Sequence, residues 1–109
     1  MPSYLKNDVV LVRYPFSDFS DMKIRPAVVV NAPHTSQDVF IIPLTSKTKS
    51  LLEGEFVLQG WQQTGLNVES AVKRGIYTVQ EQLVLKRVGK LTDTDTANLA
   101  KSLRGWLGL

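Results

Sequence analysis

Cysteine is absent from the 109-residue chain, and His34 is its only histidine. That leaves no disulfide framework, no thiolate cage and no imidazole-rich set for zinc. Nucleophilic catalysis also loses its usual parts, since there is no G-x-S-x-G turn and only His34 to act as an imidazole base. His34 itself, in NAPHTS between two expected strands, reads as a solvent-facing loop residue. The seven glycines are scattered, and none precedes a Lys-Ser/Thr pair at the spacing of a phosphate-cradling loop. No stretch approaches the roughly 18 consecutive apolar residues of a membrane span, and MPSYLKND lacks the apolar segment of a signal peptide. A cytoplasmic protein with no membrane partner is therefore expected. Thirteen Lys and Arg against ten Asp and Glu give a net charge of +3, which suits an anionic partner without requiring one. Repeats, low-complexity tracts and linkers are lacking as well, so a single domain over residues 1–109 is expected.

What is present begins with short β-branched runs. Residues 9–14 (VVLVRY), 26–31 (PAVVVN) and 39–44 (VFIIPL) are separated by Ser, Asp, Pro and Asn clusters, the pattern of strands and turns. A polar loop over 45–54 precedes three shorter strand candidates at 55–58, 66–73 and 75–79, bounded by Gly60, Gly65 and Gly75. Residues 83–91 (LVLKRVGKL) fit a helical turn or a strand equally well. So many strands in so short a chain favour a small antiparallel β-barrel, because closing the sheet hides its edges.

The period changes at the end of the chain. Leu99, Ala100, Leu103, Trp106 and Leu107 fall on one face of an α-helix. Thr92 and Asp95 form a T-x-x-D start signal, with Asp93 and Asp95 near the positive helix end and Lys101 and Arg104 near the negative one. The fold class expected is mainly β, a small barrel with a C-terminal helix.

One reaction needs neither a metal nor a protein nucleophile. In RNA cleavage the 2′-hydroxyl attacks its own neighbouring phosphate, and the enzyme aligns the reacting atoms, stabilises charge on the phosphorane and moves protons. An Arg fork and directed Ser or Thr hydroxyls suit the charge-stabilising task. Arg25 stands beside Pro26, which marks a strand's first residue, so Arg25 is expected at the barrel rim. Thr45 and Ser46 end another strand and are followed by Lys47 and Lys49. On pattern alone, Arg25 is equally a solvated turn residue and Thr45-Ser46 a strand terminator.

The segments NDVVLVRYPFSD, KIRPAVVV, VFIIPLTSK, GLNVESAVK and KLTDTDTANLAKSLRGWLGL, in this order over residues 5–109, resemble the MazF/PemK family of toxins from toxin–antitoxin operons. The R-P and P-L-T-S motifs are short, and it is their order and spacing with the closing helix that make the likeness specific. The resemblance implies an SH3-like barrel, a two-fold homodimer and a cofactor-free, metal-independent endoribonuclease. Such an enzyme cuts single-stranded mRNA at short sequences and leaves 2′,3′-cyclic phosphate and 5′-hydroxyl ends. Carried over by position, Arg25 is the principal catalytic residue and Thr45 its hydroxyl partner. Arg25 is then a charge stabiliser, because a guanidinium pKa above about 12 makes it a poor base. Ser20 falls where some relatives have a serine near the scissile phosphate.

One departure stands out. Many relatives carry a carboxylate after the strand that corresponds to SAVKRGIYTV, where this chain has Lys73, Arg74 and Gly75. Lys73 supplies positive charge to the phosphate there without a bidentate fork, while Glu81 reads as an exposed loop residue. Base recognition would fall to PFSDFSDMK, with Phe19 stacking, Lys23 meeting the backbone and Phe16 continuing the first strand into the core. Ser46, Lys47, Lys49 and Arg74 extend a basic rim. Trp61 reads as a loop anchor or interface residue, and Trp106 as part of the apolar helix face.

The partners implied are single-stranded RNA, a small acidic antitoxin whose disordered tail folds onto the toxin, and operator DNA only through the antitoxin complex. Two alternatives remain open at this point. One is a gyrase inhibitor like the CcdB toxins, whose C-terminal W-G-I is echoed by Trp106-Leu107-Gly108-Leu109. The other is a binding-only relative without catalysis.

Overall fold

The structure, a computed structural model, describes residues 4–14, 23–31 and 33–109. Along the chain come β1 (Asp8–Tyr14), β2 (Lys23–Val29), β3 (Asp38–Thr45), β4 (Phe56–Val57), α1 (Trp61–Thr64), β5 (Ala71–Val72) and β6 (Tyr77–Gln80). A 3₁₀ turn (Glu81–Leu83), β7 (Val84–Lys90) and α2 (Asp93–Leu107) complete the order. The class is the one expected, mainly β with a C-terminal helix. The path β4-β5-β3-β2-β1-β7 is antiparallel throughout, and β6 joins it by pairing with β3.

β3 organises this sheet. One edge pairs with β2 through Ala27↔Pro43, Val28↔Ile42 and Val29↔Ile41. The other edge is divided, its first half taken by β6 from Asp38↔Gln80 to Ile41↔Tyr77 and its last two residues by β5. Among the described residues no ladder joins β6 to β7, so the sheet is curled without a closed ring of hydrogen bonds. The 3₁₀ turn takes up the bend between them, and Val79 and Val84 close the gap by packing in one cluster.

Successive strand residues face opposite ways, and both faces are buried. Val9, Val28, Ile42, Leu44 and Val72 join Leu58, Leu91 and Leu99 of α2 in one cluster. Val10, Val12, Ala27, Val29, Val39 and Ile41 line the other, inside the curl. This is why β1 and β2 read as unbroken apolar runs instead of alternating. Two register shifts between β1 and β7, at Val9/Val10 and Leu11/Val12, add the bend that wraps β7 round the curl.

Several boundaries differ from the sequence reading. β2 begins at Lys23, so Pro26 lies inside the strand and Arg25 is its third residue. Proline is tolerated there because β3 joins β2 only from Ala27 onward, leaving that edge of β2 open at Pro26 among the described residues. Of the candidate strand 66–73 only Ala71–Val72 pairs. Leu66 instead follows α1 by donating its N–H to the Trp61 carbonyl at 3.0 Å, and the Ser70 hydroxyl bonds the Val68 carbonyl at 3.0 Å. Residues 83–91 resolve into a strand after a 3₁₀ turn, and Glu81 is half-buried in that turn instead of exposed in a loop. Trp61 opens a one-turn helix that the sequence reading missed, and it packs against the α2-side core.

α1 sits so close to β7 that Gly89 has no room for a side chain, since a Cβ there would run into the Thr64 carbonyl. Thr64 is itself fixed by its hydroxyl, which donates to the Lys90 carbonyl at 3.1 Å. Gly89→Ala is expected to destabilise the fold by about 1–3 kcal/mol, the usual range for forced overpacking. Urea unfolding with an unchanged midpoint would refute this.

Candidate functional site

β2 and β3 position the first two candidate residues. From the Ala27↔Pro43 pair, two residues further along each strand lie Arg25 and Thr45, on the same face as that pair. This is also the face of Ala27 and Val29, which line the inside of the curl. Arg25 is exposed and Thr45 half-buried, so both stand where the curled interior opens to solvent. Thr45 ends β3, and its Oγ1 accepts the Lys47 N–H at 3.1 Å. That bond uses a lone pair of the hydroxyl and leaves its proton for another acceptor.

β5 brings the next pair. Ala71 is opposite Thr45, and two residues on, the Lys73 N–H donates to the Pro43 carbonyl at 3.0 Å. Lys73 is thereby level with Pro43, on the strand beside Thr45, and Arg74 follows it into the turn. Lys23, Ser46, Lys47, Lys73 and Arg74 are all exposed. The start of β2 and the end of β3 thus present cations and hydroxyls at one mouth of the sheet, with Lys73 two residues further in, level with Pro43. Phe16, Phe19 and Ser20 lie outside the described residues.

The sequence reading finds no carboxylate in the 73–75 segment, and the fold delivers one from elsewhere. Glu55, just before β4, accepts the Arg74 N–H on Oε2 at 2.8 Å and the Leu52 N–H on Oε1 at 2.7 Å. Partial burial pushes its carboxyl up. The two N–H bonds and the charges of Lys73 and Arg74 outweigh that and hold it below the ordinary glutamate value. A second carboxylate, Glu69, accepts the Thr48 hydroxyl at 3.2 Å beside the loop that follows Thr45. Neither contact is visible locally, since the partners are 19 and 21 residues apart.

His34 is exposed, as expected, and its Nδ1 accepts the Ser36 N–H at 3.0 Å. Trp106 packs as the helix stripe implied: its Nε1 donates to the Glu53 carbonyl at 3.1 Å, and its ring lies over Gly54. That engagement removes the main feature that pointed toward a gyrase-directed C-terminus. Beside it, an open groove of about 790 Å³ runs between α2 and residues 52–56, with Arg74 at its border.

A curled antiparallel sheet with a C-terminal helix thus carries an Arg and a Thr level on neighbouring strands at its open mouth. The sequence model for the PemK-like, MazF-like toxin of type II toxin–antitoxin systems matches residues 6–107, and the chain belongs to that family. Among solved structures, an endoribonuclease from a mycobacterial species in complex with its cognate antitoxin is similar at a TM-score of 0.77 and 20% identity. That match covers 98% of this chain and 97% of the other. The Mycobacterium tuberculosis toxin MazF-mt6 gives 0.73 at 18% identity, covering 94% of this chain and 97% of that one. Another mycobacterial endoribonuclease gives 0.75 at 18% identity, over 100% and 95%. These likenesses establish the shared fold. No curated protein matches the chain. Among the described residues no helix is long and apolar enough to cross a membrane.

Proposed function

We propose that this toxin, acting as one domain, is a metal-independent endoribonuclease that cuts single-stranded mRNA at specific sequences. The observation that carries the reading is the placement of Arg25 and Thr45 two residues beyond Ala27↔Pro43, on one face at the open mouth of the curl. The RNA supplies its own nucleophile. The 2′-hydroxyl loses its proton to water as its oxygen bonds to phosphorus, the bond to the 5′-oxygen breaks, and that oxygen takes up a proton from water, so the products carry a 2′,3′-cyclic phosphate and a 5′-hydroxyl. Two negative charges build on the phosphorane, and the Arg25 fork meets them with parallel N–H donors. Thr45, whose lone pair is engaged by the Lys47 N–H, turns its hydroxyl proton to the same group. Lys73 adds a point charge on the neighbouring strand, and Lys23, Ser46, Lys47 and Arg74 hold the backbone on either side. Phe19 and Ser20 belong to the base-contacting loop in this reading.

The same reading makes a cognate antitoxin the protein partner, as in the mycobacterial complex. A homodimer is the working form, and operator DNA is bound only through the antitoxin complex. Long RNA incubated with the purified protein in excess EDTA is expected to be cut at recurring short sequences. The 5′ ends should accept phosphate from polynucleotide kinase without prior phosphatase treatment. Intact RNA of diverse sequence after exposure to folded protein would refute the reading.

A further inference from the structure

Glu55 has no role in the chemistry just described, yet it is the carboxylate built against the basic turn. Each of its two oxygens holds a different backbone N–H, Leu52 at 2.7 Å and Arg74 at 2.8 Å. The turn that carries Glu55 is fastened in turn to α2. The Ser102 hydroxyl donates to the Gly54 carbonyl at 2.6 Å, and the Trp106 indole donates to the Glu53 carbonyl at 3.1 Å. Gly54 has φ +87°, and a Cβ there would press on the indole at 2.5–3.0 Å, so the tryptophan seats directly on this turn. On the far side, the Lys73 N–H is bound to the Pro43 carbonyl at 3.0 Å. Residues 73–74 are therefore held at one end by β3 and at the other by Glu55. Beyond them comes Gly75 at φ +147°, where the chain has no steric preference of its own to keep the turn in place.

We propose that Glu55 is a positioning residue for RNA binding: it fixes the Lys73-Arg74 turn and so sets the path of the RNA phosphates past it, with Lys73 on the Thr45 side and Arg74 at the border of the groove beside α2. The inference rests on the RNA-cleavage reading above. Glu55 acts from behind the turn and does not take the 2′-proton. Both its oxygens are already directed at N–H groups, and a carboxyl held below its ordinary value is a weaker base still.

The sign of one substitution separates positioning from simple charge. Glu55→Gln removes a negative charge beside the RNA, so a purely electrostatic role predicts tighter binding. Positioning predicts the opposite, because an amide has one oxygen and presents its NH₂ to the second N–H. The expected result is KM raised about threefold to tenfold, the loss of one hydrogen bond, with kcat within about twofold. Glu55→Asp keeps the charge but is one methylene too short to span both N–H groups, and it is expected to weaken binding in the same direction.

Binding is read on a long RNA of mixed sequence made with 2′-O-methyl riboses, which cannot be cut. Both variants are compared at equal folded fraction by thermal melting. In a Lys73→Ala, Arg74→Ala background the Glu55→Gln effect should vanish, since the cations that it orients are gone. Wild-type or tighter binding by Glu55→Gln, or an undiminished effect in the double-alanine background, would overturn the inference and leave the ribonuclease reading intact. Failure of the wild type to cut ordinary RNA would overturn both.

Discussion

Arg25→Ala is expected to lower the RNA-cleavage rate at least about 10²- to 10³-fold while the protein keeps its fold. The rate loss follows from removing preorganised donors aimed at charge that develops only in the transition state. The retained stability follows from position. Arg25 is exposed near the start of β2, and its neighbours from Ala27 to Val29, not Arg25 itself, fill the core. Substitution should change unfolding free energy by no more than about 1 kcal/mol. Arg25→Lys refines the test, because lysine restores a charge without the two-pronged geometry. It should recover RNA binding but only a minor part of the rate. Single-turnover cleavage combined with thermal melting reads both quantities, and an Arg25→Ala protein that melts far below wild type would show a structural arginine instead.

The largest expected loss of stability belongs to Asp95. Its side chain is fully buried at the start of α2, accepting the Gln59 and Gly60 N–H groups at 2.9 Å each and the Thr92 hydroxyl at 3.2 Å. Thr92 answers by accepting the Asp95 N–H at 3.3 Å, closing a capping arrangement. Asp95→Ala strands two N–H donors of the segment leading into α1 and removes half the cap. At about 1–3 kcal/mol for each buried donor left unmet, the cost is expected to be about 3 kcal/mol or more. For a chain of this size that lowers Tm by roughly 10–20 °C. Asp95→Asn should lie between, since its one oxygen serves only one of the two N–H groups. A melting temperature within about 3 °C of wild type for Asp95→Ala would contradict the assignment.

Asp95 also shows how far local sequence carries. T-x-x-D and the stripe from Leu99 to Trp106 announce α2, and its observed start at Asp93 with Thr92 as cap agrees. In that reading Asp95 is a charge near a helix end. Its actual duty is to bind backbone 35 and 36 residues away, and nothing in the helix pattern encodes such a partner. The β-branched runs of β1, β2 and β3 were legible because intrinsic preference and burial agree there. The stretch 66–73 was not, because its alternation of Leu66, Val68 and Ser70 belongs to a turn held by the Leu66 N–H on the Trp61 carbonyl and the Ser70 hydroxyl on the Val68 carbonyl.

The site divides along the same line. Arg25 and Thr45 are candidates through short motifs near a strand start and at a strand end. Their alignment is a matter of register, which the sequence leaves open until Ala27 and Pro43 are known to pair. The segment after Lys73 has no carboxylate of its own. The fold brings Glu55 across 19 residues to the Arg74 backbone.

The fastening of the 53–54 turn by α2 has a consequence for synthesis. Ser102 follows Gly54 by 48 residues, and Trp106 follows Glu53 by 53. A ribosome therefore delivers the turn and the cations of Lys73 and Arg74 well before the residues that lock them. Until α2 has been made and docked, the emerging chain has its positive charge but not the ordered arrangement of it. Under the proposed reading, in which the target is a message, the order of translation postpones the ordered arrangement of these cations until the helix is complete.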